Sequence, residues 1–275
     1  MKKTIFKVQL LLVGAIALML TSCLGESENS VTSSGDFVYV THLSNGTKVA
    51  ASLYLGAYLV SDELSSLSEG DCALVDYKVN FEKTQGDAYV PDYFQIDRNN
   101  VFRNSSQFVA AETEADPYEM TTKNDIFVSL NIAAYSYYED MGDRWLFSFA
   151  YKKLYEGEEA PQLQIFYNPN TQSANDLENG VVTLDVTLSR VREASGEPIE
   201  DVTLKSVVNF SELRSIFASY AKDDATYTNI SVVKIKFRYP IALTSNPTDD
   251  EQAKGYKLYN PPLSESTQPR LIYTK

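Results

Sequence analysis

Apolar and polar residues alternate with a period of two along most of the chain that follows residue 35. Successive side chains of a strand point to opposite faces, so this alternation predicts strands with one core face and one mostly wet face. The clearest example sets Ala73, Val75, Tyr77, Val79 and Phe81 opposite Cys72, Leu74, Asp76, Lys78 and Asn80. Short polar turns divide such segments throughout, which predicts an all-β protein.

The strands between Asp36 and Pro117 are predicted to close into a small antiparallel barrel. Asn45-Gly46 is typical of a tight hairpin turn because both positions accept a positive φ. A small number of short strands with little helix favours an OB-like barrel, a five-stranded fold that often binds oligonucleotides or sugars. The predicted strands are Phe37–Leu43, Lys48–Leu55, residues 72–81 and Tyr89–Ile96.

An acidic segment that ends in proline, residues 112–117, predicts a domain boundary after the barrel. The chain beyond it is predicted to form an antiparallel β-sandwich with one short helix, which Ser211 caps. Its predicted strands are Ile126–Tyr137, Trp145–Lys153, Gln162–Tyr167, Val181–Val191, Val202–Phe210 and Val232–Tyr239.

The first 22 residues have a different pattern: three lysines, the apolar run Val8–Leu20 and two small residues before Cys23. This order is typical of a secretory signal, and the run is shorter than the roughly 20 residues of a transmembrane helix. Residues 20–23, Leu-Thr-Ser-Cys, resemble a bacterial lipobox, which implies cleavage before Cys23 and lipid on that cysteine. The small and polar residues of 24–35 then predict a flexible tether.

The residues behind Cys23 bear on the membrane in which the lipid would insert. An aspartate directly after the lipidated cysteine is typical of an inner-membrane retention signal. This chain has Leu24 at that position, which favours the outer membrane. Glu26 and Glu28 are loosely similar to the surface-export signals of Bacteroidetes lipoproteins. These residues do not decide between the cell surface and the periplasmic face of the outer membrane as the location of the protein.

Composition excludes several classes of function. The formal charge of −13 makes nucleic acid a poor partner, and loss of the signal would make the chain still more acidic. Cys72 is the only cysteine besides Cys23 and is predicted to be a small buried apolar residue. His42 is the only histidine and is predicted at a solvated strand end, so histidine-based triads and multi-histidine metal sites are excluded. We therefore predict no catalytic residue, metal or cofactor.

Aromatic side chains crowd one predicted hairpin, where Tyr135, Tyr137, Tyr138 and Trp145 surround a polar turn. Aromatic faces beside acids and amides hold sugars or protein partners, although the same pattern is typical of packed core. We expect Trp145 to be structural and Tyr138 to be the best exposed of the three candidate binding tyrosines. The acid clusters at 156–159, 223–224 and 249–251 are predicted to be solvated turns, and calcium at the turn 139–143 is disfavoured by its spacing.

One family resembles this chain over nearly its whole mature length. The lipobox and acidic tether, FVYV to DYFQID in the barrel, and FSFAYKK, LQIFYN, VTLDVTL, NFSELRSIF and SVVKIKFRY beyond it resemble the NigD-like lipoproteins of Bacteroidales. The resemblance implies a signal peptide at 1–22, a lipidated tether at 23–35, an OB-like domain at 36–117 and a sandwich at 124–275. It also implies a role in bacteriocin immunity. Because the sequence has no catalytic triad, metal cluster or cofactor loop, we predict a non-enzymatic outer-membrane protein that binds a protein, such as a toxin or a surface-assembly component. A glycan-binding module is the alternative.

Overall fold

The computed structural model describes residues 29–104, 108–119, 121, 125–190, 198–243, 246–259 and 269–274. The predicted signal peptide, Cys23 and residues 24–28 of the predicted tether lie outside the described residues. Strands make up most of the described chain, which confirms the all-β prediction. No helix among the described residues is long and apolar enough to cross a membrane.

Five strands close into the predicted barrel. Their order around the barrel is β1-β2-β3-β5-β4, which returns to β1 and confirms the OB-like prediction. Only β3 and β5 pair in parallel, and a short 3₁₀ helix, Asp62–Ser66, leads from β3 to β4. The strands are β1 (Ser30–His42), β2 (Lys48–Ser52), β3 (Ala57–Leu59), β4 (Cys72–Gln85) and β5 (Ala88–Phe102).

The first strand begins earlier than the sequence predicted. Residues 30–35 were assigned to the tether, but they pair with β4 from Ser30 opposite Asn80 to Ser33 opposite Tyr77. A bulge then separates Ser33 from Asp36, and the Gly35 N–H donates to Asp76 Oδ1 over 2.7 Å. Val31 and Thr32 favour a strand, but the serines and Gly35 beside them do not, and pairing with the long strand β4 decides the conformation of the segment.

A buried carboxylate fixes the inside of the barrel beside this bulge. Asp36 accepts hydrogen bonds from Ser52 Oγ at 2.5 Å, Tyr54 N at 3.0 Å and Tyr77 Oη at 3.2 Å. Burial raises the pKa of Asp36 above its ordinary value of 3.8, while these hydrogen bonds act in the opposite direction. The folded protein therefore holds a proton on Asp36 at pH values where the unfolded chain has lost it.

We expect this carboxylate to make the barrel less stable as the pH rises. The reference is Asp36→Asn, whose amide carries no charge at any pH and can still bond Ser52 and Tyr77. The unfolding free energy of the wild type, minus that of the variant, should fall from about pH 4 up to the raised pKa and be constant above it. Urea titrations at a series of pH values measure the difference, and a difference that grows with pH would contradict the assignment.

The rest of the described chain contains eleven strands, three short α-helices and three 3₁₀ helices, Glu139–Met141, Pro169–Thr171 and Ala218–Tyr220. The strands are β6 (Phe108–Val109), β7 (Ala111–Glu112), β8 (Phe127–Ala134), β9 (Arg144–Lys153), β10 (Gln162–Tyr167), β11 (Val181–Ser189), β12 (Glu200–Asn209), β13 (Lys222–Asp223), β14 (Ile230–Ile241), β15 (Lys257–Tyr259) and β16 (Arg270–Thr274). The helices are α1 (Ala174–Glu178), α2 (Ser211–Phe217) and α3 (Asp249–Lys254).

These strands form one curled sheet where the sequence predicts an antiparallel sandwich, and four of its strand pairs are parallel. The order β6-β12-β9-β8-β14-β11-β10-β7 runs through β14, which joins both halves of the sheet around one apolar core. The β11–β14 and β8–β14 pairs are parallel because the chain passes through β12 and α2 before it returns. Helix α2 is the predicted helix, but Ser211 does not cap it: Ser211 is its first residue, Phe210 is the N-cap, and no side chain makes a cap hydrogen bond. The other two helices, α1 and α3, are too short to show helical periodicity.

The boundary between barrel and curled sheet also differs from the prediction. Residues 108–112 were assigned to the barrel, but β6 pairs with the end of β12 and β7 pairs with the end of β10. Ala110, between these two short strands, is buried in the core of the curled sheet. The connection after β5 therefore closes the edges of the second sheet and is part of it.

Candidate functional site

The three candidate binding tyrosines are half-buried, and none forms an exposed platform. The Tyr135 ring lies 4.8 Å from that of Trp145 and 5.2 Å from that of Tyr137, measured between centroids. Arg270 lies over the Tyr137 ring, and the Tyr138 N–H donates to Ser136 Oγ. Trp145 is fully buried, which confirms the prediction of a structural role. The structure favours packing over binding for this hairpin.

The turn that follows these tyrosines holds a buried ion pair. Arg214 on α2 donates from Nε to both Asp143 carboxylate oxygens, at 2.6 and 2.8 Å, and from Nη1 to the Ile272 carbonyl at 2.8 Å. Asp143 adopts a positive φ of 54°, the only residue other than glycine to do so in the described chain. Burial raises the pKa of Asp143, and the Arg214 guanidinium opposes this shift. The turn predicted as a weak calcium candidate is thus built around an arginine.

The same turn fastens the curled sheet to the barrel. Met141 is buried in an apolar cluster with Phe37, Cys72 and Leu74 of the barrel and with Leu146 and Val207 of the curled sheet. Arg144 stacks over the Tyr39 ring at 4.9 Å and donates from Nη2 to Asn104 Oδ1 at 3.0 Å. The barrel face predicted to be mostly wet is therefore partly covered, and buried Cys72 confirms the prediction made for it.

The substitution Gly142→Ala tests the contact between this turn and the barrel. A Cβ at Gly142 would lie 2.6 Å from Tyr39 Cζ, and the residue has a φ of +58°. Gly157→Ala is the matched control, since Gly157 has a φ of +78° and no atom near its Cβ position. Both variants should lose about 1–2 kcal/mol of stability to the left-handed backbone, and Gly142→Ala about 1–3 kcal/mol more to the clash. Equal losses in urea unfolding would contradict a tight contact between Gly142 and Tyr39.

The curled sheet covers part of the barrel surface, and this determines where a ligand can bind. OB barrels commonly bind ligands on the face of their second and third strands. Here the outward residues of that face, Ala51 on β2 and Tyr58 on β3, pack into the cluster that contains Met141. The curled sheet thus occupies the face on which the fold would otherwise predict an oligonucleotide or a sugar.

A cleft of about 440 Å³ opens instead in the curled sheet. Four chain segments supply its walls: the residues after β7, the turn after β10, the middle of β14, and the end of α3 with β15. Hydrogen-bonding groups and a few apolar side chains line it, and we call it the polar cleft. Its lining is Glu114, Asp116, Tyr118, Glu119, Thr121, Asn168, Asn170, Thr171, Arg238, Lys254, Tyr256 and Leu258.

A buried network fixes the base of the polar cleft. Asp185, fully buried on β11, accepts from Arg238 Nε at 2.5 Å and Nη2 at 2.9 Å. Tyr118 Oη lies 3.0 Å from Asp185 Oδ1 and donates to the Arg238 carbonyl over 2.6 Å. Burial raises the pKa of Tyr118, and the neighbouring Asp185 carboxylate raises it further, so the phenol stays neutral. The cleft is consequently preorganised by residues distant in sequence.

The rim of the polar cleft is acidic. Glu114, Asp116 and Glu119 are exposed, whereas the two cations at the cleft, Arg238 and Lys254, are ion-paired with Asp185 and Asp250. Such a rim favours basic or hydrogen-bonding ligands over anions. Sequence analysis missed this site, because only the acidic segment 112–117 marked it and that segment indicated a boundary.

The other residues singled out in the sequence fall at the surface or in ion pairs. His42 is exposed at the end of β1, as predicted, with Nδ1 3.4 Å from a Glu69 carboxylate oxygen. Glu158 was predicted to be solvated, but its side chain is buried against Arg190 and accepts from Leu154 N at 2.6 Å. No group of three or more metal-ligating side chains occurs within the ranges that the structure describes.

The fold is similar to solved structures of Bacteroidales proteins. An uncharacterized protein from Parabacteroides merdae has a TM-score of 0.56 at 14% identity, over 87% of this chain and 98% of its own. A protein from Bacteroides fragilis named "Putative lipoprotein" has a TM-score of 0.49 at 12% identity, over 89% of this chain and 96% of its own. No family model and no curated protein matches the chain. The first likeness shows the two-part fold, and membership of the NigD-like family stays a prediction.

Proposed function

We propose that this chain is a lipid-anchored protein of the bacterial envelope that binds a protein partner in the polar cleft and catalyses no reaction. The observation that carries the proposal is the cleft itself, whose hydrogen-bonding groups stand on a buried network. The N-terminal pattern that ends at Cys23 supports anchoring, with the outer membrane as its location. The rim carboxylates are exposed, and we assign them a binding role.

The lining of the cleft favours a protein over a glycan. Sugar rings bind against exposed aromatic faces, but Tyr118 and Tyr256 at the cleft are both buried. Leu258 is the exposed apolar residue, and the rim adds three carboxylates and the exposed amide of Asn170. This combination suits a basic segment of a protein with one apolar anchor. Bacteriocin immunity, which the NigD-like resemblance implies, and surface assembly both require such a partner.

Capture from the native envelope tests the proposal. We expect the lipidated chain to retain a partner that Glu114→Gln with Glu119→Gln loses, because the pair removes two rim charges without changing side-chain size. The matched control is Glu159→Gln with Glu178→Gln, two exposed acids that do not line the cleft. The proposal fails if both double variants retain the partner equally, or if the cleft variant instead loses an envelope polysaccharide.

Anchoring is tested separately at Cys23. Lipid attachment needs the thiol of this cysteine, so Cys23→Ala should abolish incorporation of labelled fatty acid and leave the signal uncleaved or misprocessed. Stable attachment also requires more than one acyl chain, since a single chain binds membranes only marginally. Absence of label in the wild-type protein would contradict the lipoprotein assignment.

A further inference from the structure

Strand β12 forms an edge of the curled sheet along most of its length. On one side it pairs with β9 over all ten of its residues, Glu200–Asn209. On the other side β6 pairs only with Val208 and Asn209. Within the described chain, residues 200–207 therefore present a row of backbone N–H and C=O groups that no further strand pairs. Such an edge is a template on which another strand can pair.

The two faces of this edge differ in their chemistry. Asp201, Thr203 and Lys205 alternate along the outer face of the sheet, and all three are exposed. Val202 and Leu204 point to the other face, where they pack against the apolar core but stay only partly buried. The edge thus carries an outer row with one charge of each sign and an inner apolar row that is not fully covered.

Symmetry limits how two copies of β12 can pair edge to edge. An antiparallel pair of identical strands has a two-fold axis perpendicular to the sheet, which keeps the outer rows of both copies on the same face. Side chains that lie directly opposite each other in an antiparallel pair also share a face. One residue must therefore lie on the axis, opposite its own counterpart.

Among the registers centred on residues 201–206, only the one centred on Thr203 places opposite charges across from each other. It sets Asp201 opposite Lys205 of the second copy, and Val202 opposite Leu204 of the second copy. A register centred on residue 201 or 205 opposes like charges, and one centred on 202, 204 or 206 sets both charges opposite uncharged residues. Opposite charges and apolar pairs stabilise paired strands, whereas like charges destabilise them.

We propose that two copies of this chain associate through β12 in the register centred on Thr203, as a two-fold dimer. Charged residues on an edge strand normally prevent pairing with other strands. Here the same charges complement each other in one register, so they admit a second copy and oppose unrelated strands. None of the residues that line the polar cleft belongs to β12, so the dimer leaves that cleft open. The dimer therefore stands or falls independently of the proposed function.

Disulfide trapping in the native envelope tests this register. Thr203→Cys would place two thiols on the two-fold axis, where opposite Cβ atoms lie about 4.5–5.5 Å apart, close to the separation that a disulfide spans. The full chain is oxidised with copper phenanthroline, and non-reducing gel electrophoresis measures the dimer. We expect most of the Thr203→Cys chain to become a covalent dimer that a reductant dissolves.

Ser129→Cys is the matched control for trapping. Ser129 is exposed on the same face but lies two strands further into the sheet, because it is opposite Ala150, which is opposite Thr203. This variant should stay monomeric. The wild type should also stay monomeric, since Cys72 is buried, and it reports any disulfide that forms through Cys23.

Charge reversal in the Thr203→Cys background tests the pairing across the axis. Asp201→Lys sets lysines opposite each other and Lys205→Asp sets carboxylates opposite each other, so each single variant should lower the crosslinked fraction several-fold. The double variant Asp201→Lys with Lys205→Asp places opposite charges across the axis again and should restore it. Residues 201 and 205 lie about 13 Å apart along one strand, so this restoration requires a second copy.

Three results would overturn the dimer. Thr203→Cys that crosslinks no more than Ser129→Cys would show that the two edges do not meet. A crosslink that charge reversal leaves unchanged would indicate random collision. A double variant that crosslinks as poorly as the single variants would indicate that the substitutions act within one chain.

Discussion

Replacing Trp145 with alanine is expected to lower the free energy of unfolding by about 3–5 kcal/mol, among the largest losses available in this chain. Trp145 is fully buried, and its ring lies 4.7 Å from that of Phe210 and 4.8 Å from that of Tyr135. The alanine variant loses these contacts and leaves a cavity at the point where β9, β12 and the aromatic hairpin meet. Urea unfolding monitored by far-ultraviolet circular dichroism measures the loss.

Two variants control this result. Tyr227→Ala removes an aromatic side chain that is 53% exposed and should change stability by less than about 0.5 kcal/mol. Trp145→Phe keeps most of the ring and removes an indole N–H that has no hydrogen-bond partner among the described residues, so it should cost much less than alanine. If Tyr138→Ala lowers stability as much as Trp145→Ala, the two positions do not differ in the way that their burial indicates.

Strand positions could be predicted because alternation is a local property. Gln162–Tyr167 was predicted with the bounds that the structure gives, and a small closed barrel was predicted from a few strands and one Asn-Gly turn, although β3 was not among those strands. The parallel pairing of β11 with β14 could not be predicted, since it depends on where a distant strand inserts. Residues 30–35 were not predicted as a strand for a related reason: their serines and Gly35 mask the strand preference of Val31 and Thr32, and the pairing with β4 is not visible in the sequence.

The candidate site could be predicted only in part. The sequence showed that aromatic residues crowd the hairpin around Trp145, but the neighbours that bury them, such as Phe210, are distant in sequence. The polar cleft gave no local signal because Tyr118, Asp185 and Arg238 come from three separate segments. A motif needs its residues close together in the chain, and this cleft is assembled by the topology of the sheet alone.

Breaking the Asp143–Arg214 ion pair is expected to have an effect comparable to the loss of Trp145. Arg214→Met keeps an unbranched side chain of similar length but leaves the Asp143 carboxylate buried without the guanidinium. Removal of one partner of a buried pair costs about 3–5 kcal/mol. The Ile272 and Tyr137 carbonyls also lose a donor, so the C-terminal strand β16 and the aromatic hairpin should loosen together.

A double-mutant cycle with Asp143→Asn isolates the ion pair from these other contacts. Asparagine tolerates the left-handed backbone of residue 143 and carries no charge, so the single variant should keep the turn. In the presence of Asp143→Asn, the additional loss from Arg214→Met should be smaller, because no buried charge is left unpaired. Strictly additive losses in urea unfolding would mean that Arg214 stabilises the protein only through the two carbonyls and its contact with Tyr273. A coupling energy of one to several kcal/mol between Asp143 and Arg214 would show that their ion pair holds the hairpin, α2 and β16 together.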